Sequence, residues 1–168
     1  MVFVENVTGL LRFFQPIGEE LCSMGYEIEA GIFSASEVGA PHRRERLFVM
    51  ANTSGERRSG WSNGDKAGDI GKIQTSGSGV PVWPPSPNDF DAWESVIAMR
   101  PDLAPVLYGK LNPRFVEWLQ GFTIGWTELP GELSKTHRID RLRALGNAVV
   151  PATAELALLT LWNRKINQ

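Results

Sequence analysis

Apolar residues run from Met1 to Val4 and end in the carboxylate Glu5, a pattern that predicts a buried strand beginning almost at the first residue. Leu10, Phe14, Ile17, Leu21 and Met24 then recur at helical spacing, with Pro16 as an irregularity inside the helix and Gly25 as its natural end. Such a helix is expected to cover one face of a sheet. Tyr26, Ile28, Ala30 and Ile32 alternate with other residues as a half-buried strand does, and Leu47-Phe48-Val49-Met50 supplies a further compact strand. Between Thr53 and Asp89 the pattern dissolves. Seven of the 17 glycines fall there, with Trp-Pro-Pro-Ser-Pro at 83–87, and this reads as a loop or an excursion outside the core. Helices resume at Asp89, whose carboxylate suits a cap, and run toward Met99 before Pro101 stops them. Two more are expected over Pro113 to Leu119 and Pro151 to Trp162, each with proline in its first turn.

Strand, helix, strand, loop, strand is an α/β layout. It divides into a first segment at 1–52, a variable segment at 53–110 and a helical return at 111–168, with no internal repeat. Composition narrows the setting. A chain of 168 residues with 42% apolar content supports one modest core plus an appendage. Net charge of -2 is not the footprint of a polyanion binder, so any nucleic-acid contact must come from local clusters. One cysteine excludes an intramolecular disulfide, and with no signal-like or membrane-length apolar run the expected setting is the reducing cytoplasm, without membrane or metal partners.

Several short runs carry chemistry. Glu5, at a strand end in Val4-Glu5-Asn6-Val7, is either a carboxylate that caps the turn at Asn6 to Thr8 or a functional acid. In His42-Arg43-Arg44-Glu45-Arg46-Leu47-Phe48, alternation along an extended segment predicts Arg44 and Arg46 on one face. Two guanidiniums there make either a clamp for phosphate or a base edge, or a solvated edge strand held by Glu45. Leu111 to Phe122, with Arg114 and Glu117 inside a helix, reads as a packed amphipathic element whose core residues are Phe115, Val116 and Leu119. Gly146-Asn147-Ala148-Val149-Val150-Pro151 is a glycine-asparagine turn leading into a helix on which Leu156, Leu159 and Trp162 form a packing face. Arg57, Arg58, Trp61 and Lys66 lie in the polar stretch, which reads equally as a DNA-contacting lobe or as a linker.

In this order, the Glu-Asn-Val triplet, the arginine element, the 111–122 element and the 146–151 run resemble the DNA cytosine-5 methyltransferases. The resemblance spans nearly the whole chain and implies the C-terminal part of a Rossmann-like S-adenosylmethionine-dependent methyltransferase domain with a small, irregular target-recognition region. Cytosine C5 is unreactive inside a stacked duplex, so such an enzyme flips the base out, adds a thiolate to C6 and stabilises the charge that develops on the ring. On the resemblance Glu5 is the acid that contacts the flipped cytosine, and Arg44 and Arg46 complete the catalytic set, with Arg46 near cytosine O2 and the target phosphate. Desolvation at the strand end suits a carboxyl that shares a proton with ring N3.

The resemblance further implies that Asn147, Ala148 and Val149 line the S-adenosylmethionine pocket. It assigns His42, Arg43, Arg57, Arg58 and Arg114 to double-stranded DNA and makes the pair of Arg114 and Glu117 an organiser of the recognition lobe. His42 stands where the family has glutamine, and Thr123 replaces a proline of the exit turn, which is expected to loosen it. No Pro-Cys dipeptide and no Phe-x-Gly-x-Gly strand end occurs. Cys22, without a preceding proline or a nearby cation, reads as a structural thiol. The nucleophile is thus expected elsewhere: the chain is either a truncated gene product or one half of a split enzyme whose complementary N-terminal methyltransferase polypeptide carries it, and alone it is expected to be inactive. The alternative is a non-catalytic DNA-binding remnant, whose duplex binding would depend on salt without any affinity for the cofactor.

Overall fold

The computed structural model describes residues 1–53, 80–129 and 135–166. Their contacts gather into two compact units. The first holds residues 1–38, 43–53 and 152–166; the second holds 39–42, 80–129 and 135–151. These units cut across the segments drawn from composition. The last helix joins the first unit, and residues 80–110 share the second with the elements that follow them.

In the first unit, strands β1 (Val2–Val7), β2 (Tyr26–Phe33) and β3 (Arg46–Thr53) form a sheet of order β1-β3-β2. Both outer strands run antiparallel to β3, with Glu5 opposite Phe48 and Ala30 opposite Val49. The outer strands are therefore parallel to each other, joined by helix α1 (Leu11–Ser23). The mixed strand directions come from β3, which fills the gap that a β-α-β crossover leaves open. Only this central strand is buried on both faces, and it reads accordingly as the uninterrupted run Leu47 to Ala51.

Helix α1 lies on the sheet face of Ile28, whose Cδ1 is 3.9 Å from where a Cβ on Gly18 would sit. It runs through Pro16 and ends at Gly25, whose φ of 83° and amide bond to the Cys22 carbonyl make a left-handed cap. The helix covers its sheet face thinly: none of its residues is fully buried, and Leu11, Phe13 and Ile17 stay exposed, as do Val2 and Val4 of β1. Helix α5 (Pro151–Ile166) takes the other face, where Arg164 approaches the Ala30 carbonyl at 3.5 Å. Its buried stripe is Thr153, Ala157 and Leu161 at four-residue spacing. Leu156, Leu159 and Trp162, expected as the packing face, flank that stripe half-buried. Small residues at 153 and 157 let the helix approach closely, so the buried face is not the one with the largest side chains.

The second unit packs around Val80, Val96, Leu103 and Trp118, with Trp93, Phe115 and Ile124 against them. Helix α2 (Phe90–Met99) starts as expected, with the Asp89 side chain accepting from the Ala92 amide. After the turn at Pro101–Leu103, a small hairpin pairs β4 (Val106–Leu107) with β5 (Lys110–Leu111). Asn112 then caps helix α3 (Pro113–Leu119). Helix α4 (Lys135–Asn147) follows. The Trp-Pro-Pro stretch is no excursion. Pro84 is buried, the Trp118 indole donates to the Pro81 carbonyl, and Trp83 lies against Gly121 so closely that a Cβ there would sit 2.7 Å from its ring.

Helices α4 and α5, at 13 and 16 residues, are separated by Ala148 to Val150, and each falls short of the roughly 20 residues that cross a bilayer.

Candidate active site

Pairing of β1 with β3 puts Glu5 opposite Phe48 and Val7 opposite Arg46, so Glu5 and Arg46 are diagonal neighbours on one face of the sheet. The Arg46 Nε donates to Glu5 Oε1 at 2.9 Å, and both side chains are largely withdrawn from solvent. Arg46 also donates from Nη1 to the Glu45 carbonyl, which fixes the guanidinium from two sides.

Arg44 joins them by a different route from the one alternation predicts. Its φ of 37° lies in the left-handed region, which a non-glycine residue adopts only under constraint, so the chain turns sharply at Arg44 and the strand begins at Arg46. The constraint is visible next door, where the Arg43 carbonyl accepts from the Ala35 amide at 2.6 Å and from the Ser34 hydroxyl at 2.7 Å. Burial presses the Arg44 guanidinium below its ordinary range, the charge of Arg46 presses it further, and the Glu5 carboxylate opposes both. Glu5 and Arg46 are thus an ion pair, and the half-buried charge of Arg44 lies within electrostatic reach of both, which leaves a net positive charge. Such a cluster suits a planar group that carries acceptors, or a phosphate. Arg43 itself is exposed, with its side chain free to reach outward.

The second unit carries a chain of ion pairs. Glu117, fully buried, accepts from the Arg141 guanidinium at 2.9 Å, from the Gly125 amide at 2.6 Å and from the amide and hydroxyl of Thr127. Burial pushes this carboxyl up, but the bonds from Thr127, Arg141 and the Gly125 amide outweigh it and the net direction is down. Arg114 donates to Asp102 at 2.9 Å and to Glu128 at 2.5 Å, so its donors are turned onto protein carboxylates. Arg114 and Glu117 therefore take separate partners, and the organising pair is Glu117 with Arg141. The exit turn does not need the missing proline. Gly121 and Gly125 adopt positive φ, and Glu117 ties down the loop between them and Thr127.

Other expected site residues are placed as follows. The Nε2 of His42 lies 2.8 Å from the Leu119 carbonyl, which can only accept, so Nε2 carries the proton and the ring serves to hold the end of α3. The core of α3 is Pro113, Glu117 and Trp118, while Phe115, Val116 and Leu119 are half-buried. Asn147 is exposed beside half-buried Ala148 and Val149, and among the described residues nothing holds its amide. An uncommitted amide next to apolar side chains fits a ligand with both polar and apolar parts. Cys22 is exposed on α1. Among the described residues no three His, Cys, Asp or Glu side chains gather as a metal site. Arg57, Arg58, Trp61 and Lys66 lie outside the described residues.

Residues 1–76, which include this arginine and glutamate cluster, match the family model of the C-5 cytosine-specific DNA methylases. The whole chain superposes on two solved methyltransferases. One is the EhMeth methyltransferase of Entamoeba histolytica, with a TM-score of 0.52, 18% identity and coverage of 96% of this chain and 62% of that one. The other is the Dnmt2 methyltransferase of S. pombe, with a TM-score of 0.53, 16% identity and coverage of 99% and 65%. The fold is that of these methyltransferases. The chain spans less than two thirds of the length of either. No curated protein matches its sequence.

Proposed function

We propose that this chain is the DNA-facing, C-terminal portion of a DNA cytosine-5 methyltransferase. The observation that carries this reading is the cluster at the end of β1: Glu5 bound to Arg46 at 2.9 Å, with the desolvated Arg44 beside them. A cytosine turned out of its duplex offers this cluster a donor at N4 and acceptors at N3 and O2. Glu5 takes the N3 and N4 edge as the acid and hydrogen-bonding group, and Arg46, already fixed by two contacts, presents its remaining donors to O2. Arg46, with the charge of Arg44 near it, also neutralises the phosphate of the flipped nucleotide. Charge that develops on the ring after thiolate addition at C6 is met by groups already in place, which is how preorganised donors lower a barrier.

Asn147, Ala148 and Val149 would hold S-adenosylmethionine, which would supply the electrophilic methyl group. The exposed Asn147 amide would bond its polar part, and half-buried Ala148 and Val149 would cover an apolar part. The thiolate comes from a complementary polypeptide that carries the Pro-Cys and Phe-x-Gly-x-Gly segments, since Cys22 is exposed within α1 and does not follow a proline.

The test is transfer of labelled methyl groups from S-adenosylmethionine to unmethylated duplex DNA, by the chain alone and with a complementary N-terminal polypeptide. Label appearing only in the mixture supports a separable half-enzyme. Transfer by the chain alone contradicts the assignment of Cys22, and salt-dependent duplex binding with no transfer in either case leaves a non-catalytic DNA-binding remnant.

A further inference from the structure

The tip of the β4–β5 hairpin is built against its own backbone preference. Tyr108 and Gly109 are the two loop residues, with φ of 53° and 71°, the pair of positive values that marks a type I′ turn. Asn-Gly suits that turn, because asparagine tolerates the left-handed region; a tyrosine there is strained. The strain brings no packing in return. Tyr108 is 100% exposed, and a Cβ on Gly109 would meet nothing within 4 Å.

The base of the hairpin is rigid by contrast. Buried Asn112 donates its side-chain amide to the carbonyls of Asp102 and Ala104 at 2.7 and 2.8 Å, and its backbone amide bonds to the Pro105 carbonyl at 3.0 Å. Leu103, fully buried, pins the preceding turn into the core. Arg138 of α4 donates to the Leu111 carbonyl, which brings a cation beside the hairpin. The nearby carboxylate of Asp102 is committed to Arg100 and Arg114, whereas among the described residues nothing pairs with Lys110. A firmly anchored two-stranded ribbon thus displays one bare aromatic ring and one uncommitted ammonium group.

We propose that this hairpin is a groove-reading arm, in which the Tyr108 ring lies against base edges in the major groove of the bound duplex and Lys110 meets the adjoining phosphate. The inference rests on the DNA reading given above and deepens it. A two-stranded ribbon is an element that the major groove of B-DNA admits, and an aromatic ring held out at a strained tip is placed to pack on the apolar base edges, such as the thymine methyl, displayed there. A two-residue tip is too narrow for the buried centre of a protein–protein interface.

The experiment is anisotropy titration of a fluorescein-labelled pool of unmethylated 30-base-pair duplexes with the full chain, across a series of salt concentrations, for wild type, Tyr108→Ala, Tyr108→Asn, Tyr108→Trp and Lys110→Ala. Tyr108→Ala and Tyr108→Asn are expected to weaken binding by roughly 5- to 100-fold without changing the salt slope, and Tyr108→Trp to retain it. Lys110→Ala is expected to flatten the salt slope by roughly one ion. Thermal unfolding of Tyr108→Asn should occur at or above the wild-type temperature, because asparagine relieves the turn. Loss of affinity together with unchanged or improved stability is therefore not misfolding. If wild type binds the duplex and the Tyr108 variants bind equally well, the arm is wrong and the DNA reading stands; if wild type shows no salt-dependent binding, the arm is wrong, and methyl transfer in the mixture decides the DNA reading separately.

Discussion

Glu117 and Arg141 form a fully enclosed ion pair, 2.9 Å apart, in which neither side chain exposes more than 6% of its surface. Enclosed pairs add little net stability when intact, but removing one partner leaves a bare charge inside the protein. Glu117→Ala should therefore cost about 3–5 kcal/mol and free the loop from Gly125 to Thr127, which the carboxylate holds by its amides. Denaturant titration followed by tryptophan fluorescence reads both effects, because Trp118 and Trp126 flank the site. A loss well below 1 kcal/mol would show that the pair is dispensable.

Acid should weaken the second unit through the same network. Bonds from Arg100 chiefly, and also from Arg114, hold the Asp102 carboxyl at about 2 against an ordinary 3.8, and Glu128 is lowered by Arg114. The folded values lie below the unfolded ones, so the stabilisation is complete above the unfolded value and is lost as pH falls through the folded value. The urea midpoint should hold steady down to about pH 5 and drop between there and pH 2. Asp102→Asn should shrink that drop. An identical drop in the variant would remove Asp102 from the account.

Two glycines with positive φ separate strain from space. Gly25, at 83°, has nothing within 4 Å of the point where a Cβ would sit, so Gly25→Ala should cost only the left-handed penalty, about 1–2 kcal/mol. At Gly121, with φ 72°, the same change also drives a methyl into the Trp83 ring and should cost about 2–5 kcal/mol. Equal costs would mean that Trp83 yields freely.

Much of the first unit was legible from its side-chain pattern. Alternation in Tyr26 to Ile32, the apolar run at Leu47 and the glycine after Met24 each marked an element that the fold contains. Helix α4 gave no such signal, because Ile139, Leu142 and Leu145 are sparse among charges and its enclosed positions include an arginine, Arg141. Glu117 was not among the core residues expected of its helix, because hydrophobic patterning does not select a glutamate, whereas here Arg141, Gly125 and Thr127 satisfy its buried carboxylate. Arg44 does not extend the strand of Arg46 as alternation predicts; a left-handed turn at Arg44 precedes it, and their charges still bear on each other. Local pattern encodes faces of regular elements; it does not encode which buried charge will find its partner across the fold.

Arg46→Lys should separate the two contacts of the proposed active site. Lysine keeps the charge near Glu5 but loses the planar fork that holds the Glu5 carboxylate and the Glu45 carbonyl together. In the reconstituted mixture, methyl transfer should fall by roughly 10- to 100-fold with little change in duplex affinity. Equal losses in transfer and in affinity would assign Arg46 to DNA binding alone.

The central claim is that Glu5 acts on the target cytosine, and the most direct measurement is single-turnover methyl transfer in the mixture of this chain with the proposed complementary polypeptide, wild type against Glu5→Gln. The account predicts that the substitution slows transfer by roughly 10²- to 10⁴-fold while the chain stays folded and still associates with its partner and with DNA. Transfer at the wild-type rate by Glu5→Gln would contradict it.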